Sequence, residues 1–394
     1  MIERIDLLMP PEHRSGYGVL PQFTRGLYAA LQRQGVECRL LGNGQGATPD
    51  LVPQIVRDPP DCTLSFNGLL PDGEGRFFCD QIQVPHVACL VDSPNQFLSL
   101  VQSPLNLITC VDQAHVQFFS ELHKPPTLFL PHAVERDFTG DLDAARPYEV
   151  VFFGTCLDYE ERRELWHKKY SPALARALDD AADIALGDQV TSYLEAFTRA
   201  VHDRVLAGDQ VDLNGLDMSE LFDHLEVYIR GRDRVQLLRA ITEVPVYVFG
   251  TKSGARGWDY YLADAGKNIH VQERVSYEDA LALMQQSRVV INSCPTLKQG
   301  AHERIHAGFM AGAAVFTSEN EYLMDQFTGR ELLTYTHDDY SSVNDTLCRV
   351  LENDDQRKEL VVKGRDVVRQ HHTWDHRAET LITYLTEVLP TVEF

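Results

Sequence analysis

Positive charge is what this sequence has least of. Against 58 acidic residues stand 36 Lys and Arg, a formal net charge of −22. A general nucleic-acid binder needs clustered cations to meet phosphates, so no nucleic-acid partner is expected. Docking on an anionic membrane through broad charge attraction is disfavoured for the same reason. No run nears the ~18–20 apolar residues that span a bilayer. The opening stretch MIERIDLLMPPEH also lacks the apolar core of a signal peptide. The expectation is a cytoplasmic protein without stable membrane insertion. None of the eight cysteines forms a CxxC pair. Most sit in apolar, strand-like runs such as CLV and LITCV, as reduced structural thiols do. Low-complexity tracts are missing, and so are internal repeats with a period of about 20–50 residues.

What is present is an ordinary globular composition, 44% hydrophobic, over 394 residues. That length implies two domains, each able to bury a core. Short apolar runs at 5–9, 36–41, 62–66, 86–91, 107–111 and 127–130 alternate with amphipathic segments. Between the first two runs, Leu20, Phe23, Leu27 and Leu31 share one helical face. Such alternation reads as a doubly wound parallel sheet. A polar linker, DFTGDLDAARPY at 137–148, precedes a second alternating set with runs at 149–153, 244–249, 268–271, 289–292, 313–317 and 331–335. The stretch 158–240 is helical and strand-poor, a helical insertion in the second domain. The expected architecture is α/β, with two Rossmann-like domains facing a cleft. They cover 1–145 and 146–375, and a C-terminal helix over 376–394 packs back on the first.

The densest signal is VVINSCPTLKQGAHERIHAGFMAGAAVFTS at 289–318. A β-branched run enters a Gly-containing loop, a helix pattern begins at about Ala301, Gly312 stops it, and a second apolar run follows. This order places a helix N-terminus where an anionic ligand can meet it. Gly300 and Ala301 would offer backbone amides there, with Lys298 before them and Arg304 in the first turn as a pyrophosphate clamp. The same residues contain HERIH, in which His302 and His306 could ligate zinc with Glu303 as base. The extended zincin pattern fails, because Phe309 and Gly312 fill its Gly and His positions. An apolar strand also separates the helix from the acidic NEYLMD segment at 320–325. His302 and His306 therefore read better as donor-helix residues than as zinc ligands. Near the N-terminus, PPEHRSGYGVLPQF places Gly16 and Gly18 before a helix. It is not a full GxGxxG, and no acidic residue ends the second strand. A flexible loop at the interdomain cleft, with Gly16 and Gly18 on the donor side, or a structural turn fits better than a dinucleotide site.

Taken together, these segments resemble a glycosyltransferase of the GT-B fold, and more narrowly the CgeB-like group of spore-maturation and protein- or surface-glycan-glycosylation proteins. The resemblance rests on the run from NIHVQERVSYEDALALMQQ to NEYLMDQF, with a capping box at Ser276 and Asp279. GAHERIHAGFMAGAAVFTS carries Arg304 and Gly312 in the family register. GYGVLPQFTRGLYAALQRQGVECRLL, FLPHAVERDF and RPYEVVFFGT resemble the family's opening unit, the end of its first domain and the start of its second. One departure stands out: Ala307 occupies the place of the Glu that usually grips the donor ribose.

The resemblance implies sugar transfer from a UDP-, GDP- or dTDP-sugar to a protein or surface-glycan acceptor, with no obligatory cofactor or metal. The diphosphate would be held by Lys252, after the strand end at Phe249 and Gly250, and by Lys298 and Arg304, with the base against Arg274–Tyr277. An inverting enzyme would also need a general base. Asp92 in CLVDSPNQF and His132 in LPHAV are the leading candidates, ahead of Asp112 and His115. Two competing expectations remain. Ala307 would suit a nucleotide-binding scaffold that has lost catalysis, and HERIH a zinc hydrolase.

Overall fold

The computed structural model describes residues 2–11, 17–42 and 51–392. They form two compact units: Met1–Phe138 with Arg369–Phe394, and Thr139–Val368.

The first unit is built on a six-stranded parallel sheet. Its strands are β1 (Arg4–Leu8), β2 (Glu37–Leu41), β3 (Cys62–Phe66), β4 (His86–Leu90), β5 (Asn106–Cys110) and β6 (Leu128–Phe129), in the order β2-β1-β3-β4-β5-β6. β3, β4 and β5 are buried at every position. This explains why they read as continuous apolar runs and not as alternating ones. The stripe Leu20, Phe23, Leu27 and Leu31 is buried on helix Val19–Arg33. Helix Trp374–Val388 packs against it so closely that a Cβ on Gly26 would lie 2.6 Å from the Trp374 ring. Phe23, Phe66 and Trp374 meet with centroids 5.3–5.8 Å apart. The buried Arg377 fastens the last helix by donating to the carbonyls of Pro131 (2.6 Å) and His132 (2.9 Å).

The second unit carries β7 (Tyr148–Phe153), β8 (Cys156–Leu157), β9 (Val246–Phe249), β10 (Lys252–Ser253), β11 (Ile269–Gln272), β12 (Ser287–Asn292), β13 (Ala314–Ser318) and β14 (Leu333–Tyr335). Its six-stranded sheet is ordered β11-β9-β7-β12-β13-β14 and is parallel throughout, and β8 pairs with β10 in a separate two-stranded sheet. Between β8 and β9 lie helices Tyr159–Lys169, Pro172–Leu186, Tyr193–Leu206 and Met218–Ala240. Their N-caps Asp158, Ser171, Ser192 and Asp217 all accept a backbone N–H from the first turn. These four helices are the insertion. Trp166, Trp258 and Trp374 are all buried in their units, as core residues and not exposed stacking platforms.

Candidate functional site

In the second unit, β12 ends at Asn292, and the loop that follows is braced from several sides. Ser293 Oγ donates to Asp233 (2.6 Å), and the Cys294 amide donates to Ser318 Oγ (3.3 Å). Asn320 donates to the carbonyls of Leu297 (2.8 Å) and Gly300 (3.0 Å) while its own oxygen caps Leu323 (2.8 Å). The helix then begins at Glu303, not Ala301. His302 is the N-cap, in extended conformation, with its imidazole facing the Arg304 amide at 3.5 Å and paired with the Glu303 carboxylate. The dipole end is therefore presented by Glu303, Arg304 and Ile305. Gly300 and the buried Ala301 belong to the approach loop. A Pro or Gly would have marked the start; a histidine cap gives no such signal.

The opposite end of this helix is fully engaged. Gly312 adopts the left-handed conformation (φ 90°) that ends it. Arg365 donates to the carbonyls of Phe309 (3.2 Å) and Met310 (3.2 Å), Arg146 to Ala311 (3.1 Å) and Arg357 to Gly312 (3.1 Å). Cations at the C-terminal end complement the dipole and fix the helix in place. Burial, with Arg357 and Arg365 nearby, lowers the pKa of Arg146 to about 10.

Arginines from the insertion also reach this place. The Cys294 thiol is pushed up to about 11 by burial, offset in part by the positive fields of Arg230, Arg304 and Arg234. Arg234 is buried and donates to the Thr155 carbonyl (2.8 Å), just past β7. Arg230 pairs with the buried Glu226 (2.8 Å). Arg304, on the helix itself, is 4.0 Å from Glu303. Three arginines thus act on Cys294, two residues past the end of β12, while Glu303 at the start of the following helix opposes them. Sequence reading missed Arg230 and Arg234. The signal was IRGRDRVQLLR at 229–239, where they stand one helical turn apart.

Between them in sequence sits Asp233, wholly buried, which also went unnoticed. It accepts from Ser293 (2.6 Å), Tyr335 (2.9 Å) and Tyr340 (2.7 Å) and pairs with His337 Nδ1 (2.8 Å). Burial alone would raise its pKa. His337 and the donated hydrogen bonds outweigh that and hold it at about 2. The carboxylate ties the insertion helix to the ends of β12 and β14.

The remaining donor-side candidates are dispersed. Lys298 was expected to clamp phosphate, but its buried ammonium donates to the carbonyls of Ala185 and Asp188, each at 2.7 Å. It caps the end of helix Pro172–Leu186. Gly250 is a packing glycine: a Cβ there would fall 2.0 Å from the Gly154 carbonyl. Lys252 is exposed on β10, and Arg274 is exposed after β11. Tyr277 opens helix Tyr277–Gln285 behind its cap Ser276, whose Oγ accepts the Asp279 amide (3.1 Å). For zinc, His302 stands outside the helix that carries His306, so the pair does not present two rings one turn apart on a single helix as a zincin needs. Among the described residues no cluster of three or more His, Cys, Asp or Glu could hold a metal ion.

In the first unit, β3 leads into Asn67 and Gly68, both with left-handed backbone (φ 61° and 62°). Only glycine fits the second position, where a Cβ would meet Ala88 at 2.7 Å. The turn aims the Asn67 side chain at the end of β4. Its oxygen accepts the amides of Val91 (3.0 Å) and Asp92 (3.3 Å), and its nitrogen donates to Asp92 Oδ2 (2.6 Å). Asp92 is exposed and lines a cavity of about 470 Å³. His132 does not line that cavity. It is buried against Phe23 (5.5 Å), with its carbonyl held by Arg377. Asp112 caps helix Gln113–Ser120, and His115 is buried on it. Gly18 precedes helix Val19–Arg33 with φ 71°. Gly16 lies outside the described residues.

Comparison with known proteins bears on the family and the fold. Residues 232–383, less than half of the chain, match the family model described as "Glycosyl transferase-like". No curated protein sequence matches. Among solved structures, the DNA-modifying enzyme β-glucosyltransferase, crystallised with and without uridine diphosphoglucose, is 9% identical. It matches at a TM-score of 0.57 over 98% of this chain and 99% of that one. Sucrose-phosphate synthase from Thermosynechococcus elongatus is 10% identical over 99% and 100% (TM-score 0.54). AviGT4, a glycosyltransferase involved in avilamycin A biosynthesis, is 12% identical over 99% and 98% (TM-score 0.52). At these identities the likeness is one of fold. The two parallel six-stranded sheets with flanking helices are the α/β architecture of GT-B glycosyltransferases.

Proposed function

We propose that this protein is a glycosyltransferase that takes its sugar from a nucleotide-sugar donor held by the second unit. The observation that supports the reading is the N-terminus of helix Glu303–Ala311, with Arg304 in its first turn, beside the loop after β12 where Cys294 feels the positive fields of Arg230, Arg304 and Arg234. A nucleoside diphosphate leaving group gains negative charge as the glycosidic bond breaks. Fixed guanidinium groups and a helix dipole stabilise that charge without reorganising. Because these groups supply the counter-charge, no divalent cation is required in this proposal. The bracing of loop 293–302 keeps them in register before the donor arrives. Exposed Arg274 and half-buried Tyr277 remain the proposed walls for the base. Asp92, fixed by Asn67, is the proposed proton acceptor on the first unit, and His132 the weaker candidate because its ring is packed against Phe23. UDP-, GDP- and dTDP-sugars all fit a site defined by its phosphates. The CgeB-like resemblance points to a protein or surface-glycan acceptor, and the fold likeness supports the transferase class alone.

Ala307 favours a second reading. It is wholly buried, so this helix offers no carboxylate to the donor ribose at that position. A nucleotide-binding protein without transferase activity would show that feature.

A thermal-shift panel of UDP, GDP and dTDP tests the proposal. At least one should raise the melting temperature by mass action, and Arg304→Ala should abolish the shift. A panel without any shift would contradict it. A shift without donor turnover would favour the second reading.

A further inference from the structure

The cavity of the first unit has a chemistry of its own. It lies at the C-terminal ends of β1, β3 and β4, and its volume of about 470 Å³ falls within the ~300–1,000 Å³ of small-molecule sites. Little more than half of its lining surface is apolar: Phe97 and Leu70, with Leu69, Leu20 and Met9, contribute hydrocarbon. Leu70 is half exposed, so apolar surface faces the cavity mouth. None of the described residues lining it is Lys, Arg or His. Among these described residues a phosphorylated or carboxylated ligand would find no counter-charge.

Ser65, Asn67, Asp92 and Gln96 bring polar groups to the lining. Ser65 is already engaged, its hydroxyl 2.9 Å from Nε2 of the buried His86, whose other nitrogen meets Thr63 at 2.8 Å. Asp92 is different. Asn67 holds its Oδ2, and among the described residues Oδ1 has no hydrogen-bond partner. A carboxylate only accepts hydrogen bonds, so the complementary ligand group is an O–H or N–H donor. A sugar chain, with a hydroxyl on nearly every carbon, would leave those of its polar groups that meet Phe97, Leu69, Leu20 and Met9 facing hydrocarbon.

We propose that this cavity binds an uncharged acceptor with a compact apolar body and a hydroxyl, the hydroxyl donating to Asp92 Oδ1. The word acceptor rests on the glycosyltransferase reading; the binding chemistry does not. This sets a small aglycone-type alcohol or phenol ahead of a glycan or a protein surface.

Fluorescence titration of the full chain with 2-naphthol tests the assignment, with 2-methoxynaphthalene, 2-naphthyl phosphate and maltotriose as comparators. The expected result is saturable 2-naphthol binding. The methyl ether, which cannot donate to Asp92, and the phosphate should each be weaker by about tenfold or more. Leu70→Asp, a change at a half-exposed residue, should weaken 2-naphthol by a similar factor, and so should Asp92→Asn. The inference is overturned if 2-naphthol does not bind, if maltotriose or the phosphate binds as well, or if Leu70→Asp changes nothing. The nucleotide panel on the same preparation separates the two proposals. A nucleotide shift without 2-naphthol binding refutes only the acceptor class, and naphthol binding without any nucleotide shift refutes only the donor reading.

Discussion

Asp233 and Lys298 are both buried charges that join the helical insertion to the sheet end, and neither role shows in the sequence. An aspartate in the middle of a charged helix reads as a solvated residue, and a lysine before a glycine reads as a ligand clamp. Only tertiary packing shows that Asp233 faces two tyrosines, a serine and a histidine, and that Lys298 meets two carbonyls. The pKa of Asp233 is lowered from 3.8 to about 2. Its contribution to stability is therefore complete above about pH 4 and is lost as pH falls from about 4 to about 2, by roughly 2 kcal/mol. Urea midpoints across that range should fall for the native protein, and Asp233→Asn should flatten this acid limb while starting from a lower midpoint at pH 7. Lys298→Met separates joint from ligand clamp. With two carbonyls left bare it should melt several degrees lower, by roughly 1–3 kcal/mol, yet keep its nucleotide-induced shift. Loss of the shift in the folded variant would restore Lys298 to the phosphate site.

Elements were far more legible than side-chain partners. The strands that read as apolar runs are those covered on both faces, where no alternation is required. Glycine signals also served well where the backbone demands them: Gly312 ends its helix at φ 90°, as its place after AGFMA suggested. Less visible were the two-residue strands β8 and β10, too short to carry a pattern, and the true helix start. His302 caps through an imidazole, outside the usual Ser, Thr, Asp and Asn vocabulary. Arg146 Nη2 would sit 2.2 Å from a Cβ at position 312. Gly312→Ala combines that clash with a left-handed backbone, and should cost about 1–3 kcal/mol in chemical denaturation. A neutral result would show that the arginine cap adapts freely.

At the scale of the whole molecule, the alternation of apolar and amphipathic segments carried the α/β fold, because parallel sheets enforce it. Contacts distant in sequence were not readable in this way. The aromatic cluster of Phe23, Phe66 and Trp374 brings together residues from both ends of the chain. Ending the chain after His371 should therefore expose that cluster and leave the first unit insoluble or without a cooperative melt; a normal melt would contradict the packing described. The proposed anion site, likewise, draws on arginines that an insertion delivers from about seventy residues upstream of Arg304. The most direct measurement is release of nucleoside diphosphate from UDP-, GDP- and dTDP-sugars, with chelator present and a hydroxylated aromatic acceptor supplied. The account predicts release from at least one donor, lost in Arg304→Ala. No release from any donor, or release that Arg304→Ala leaves intact, would contradict it.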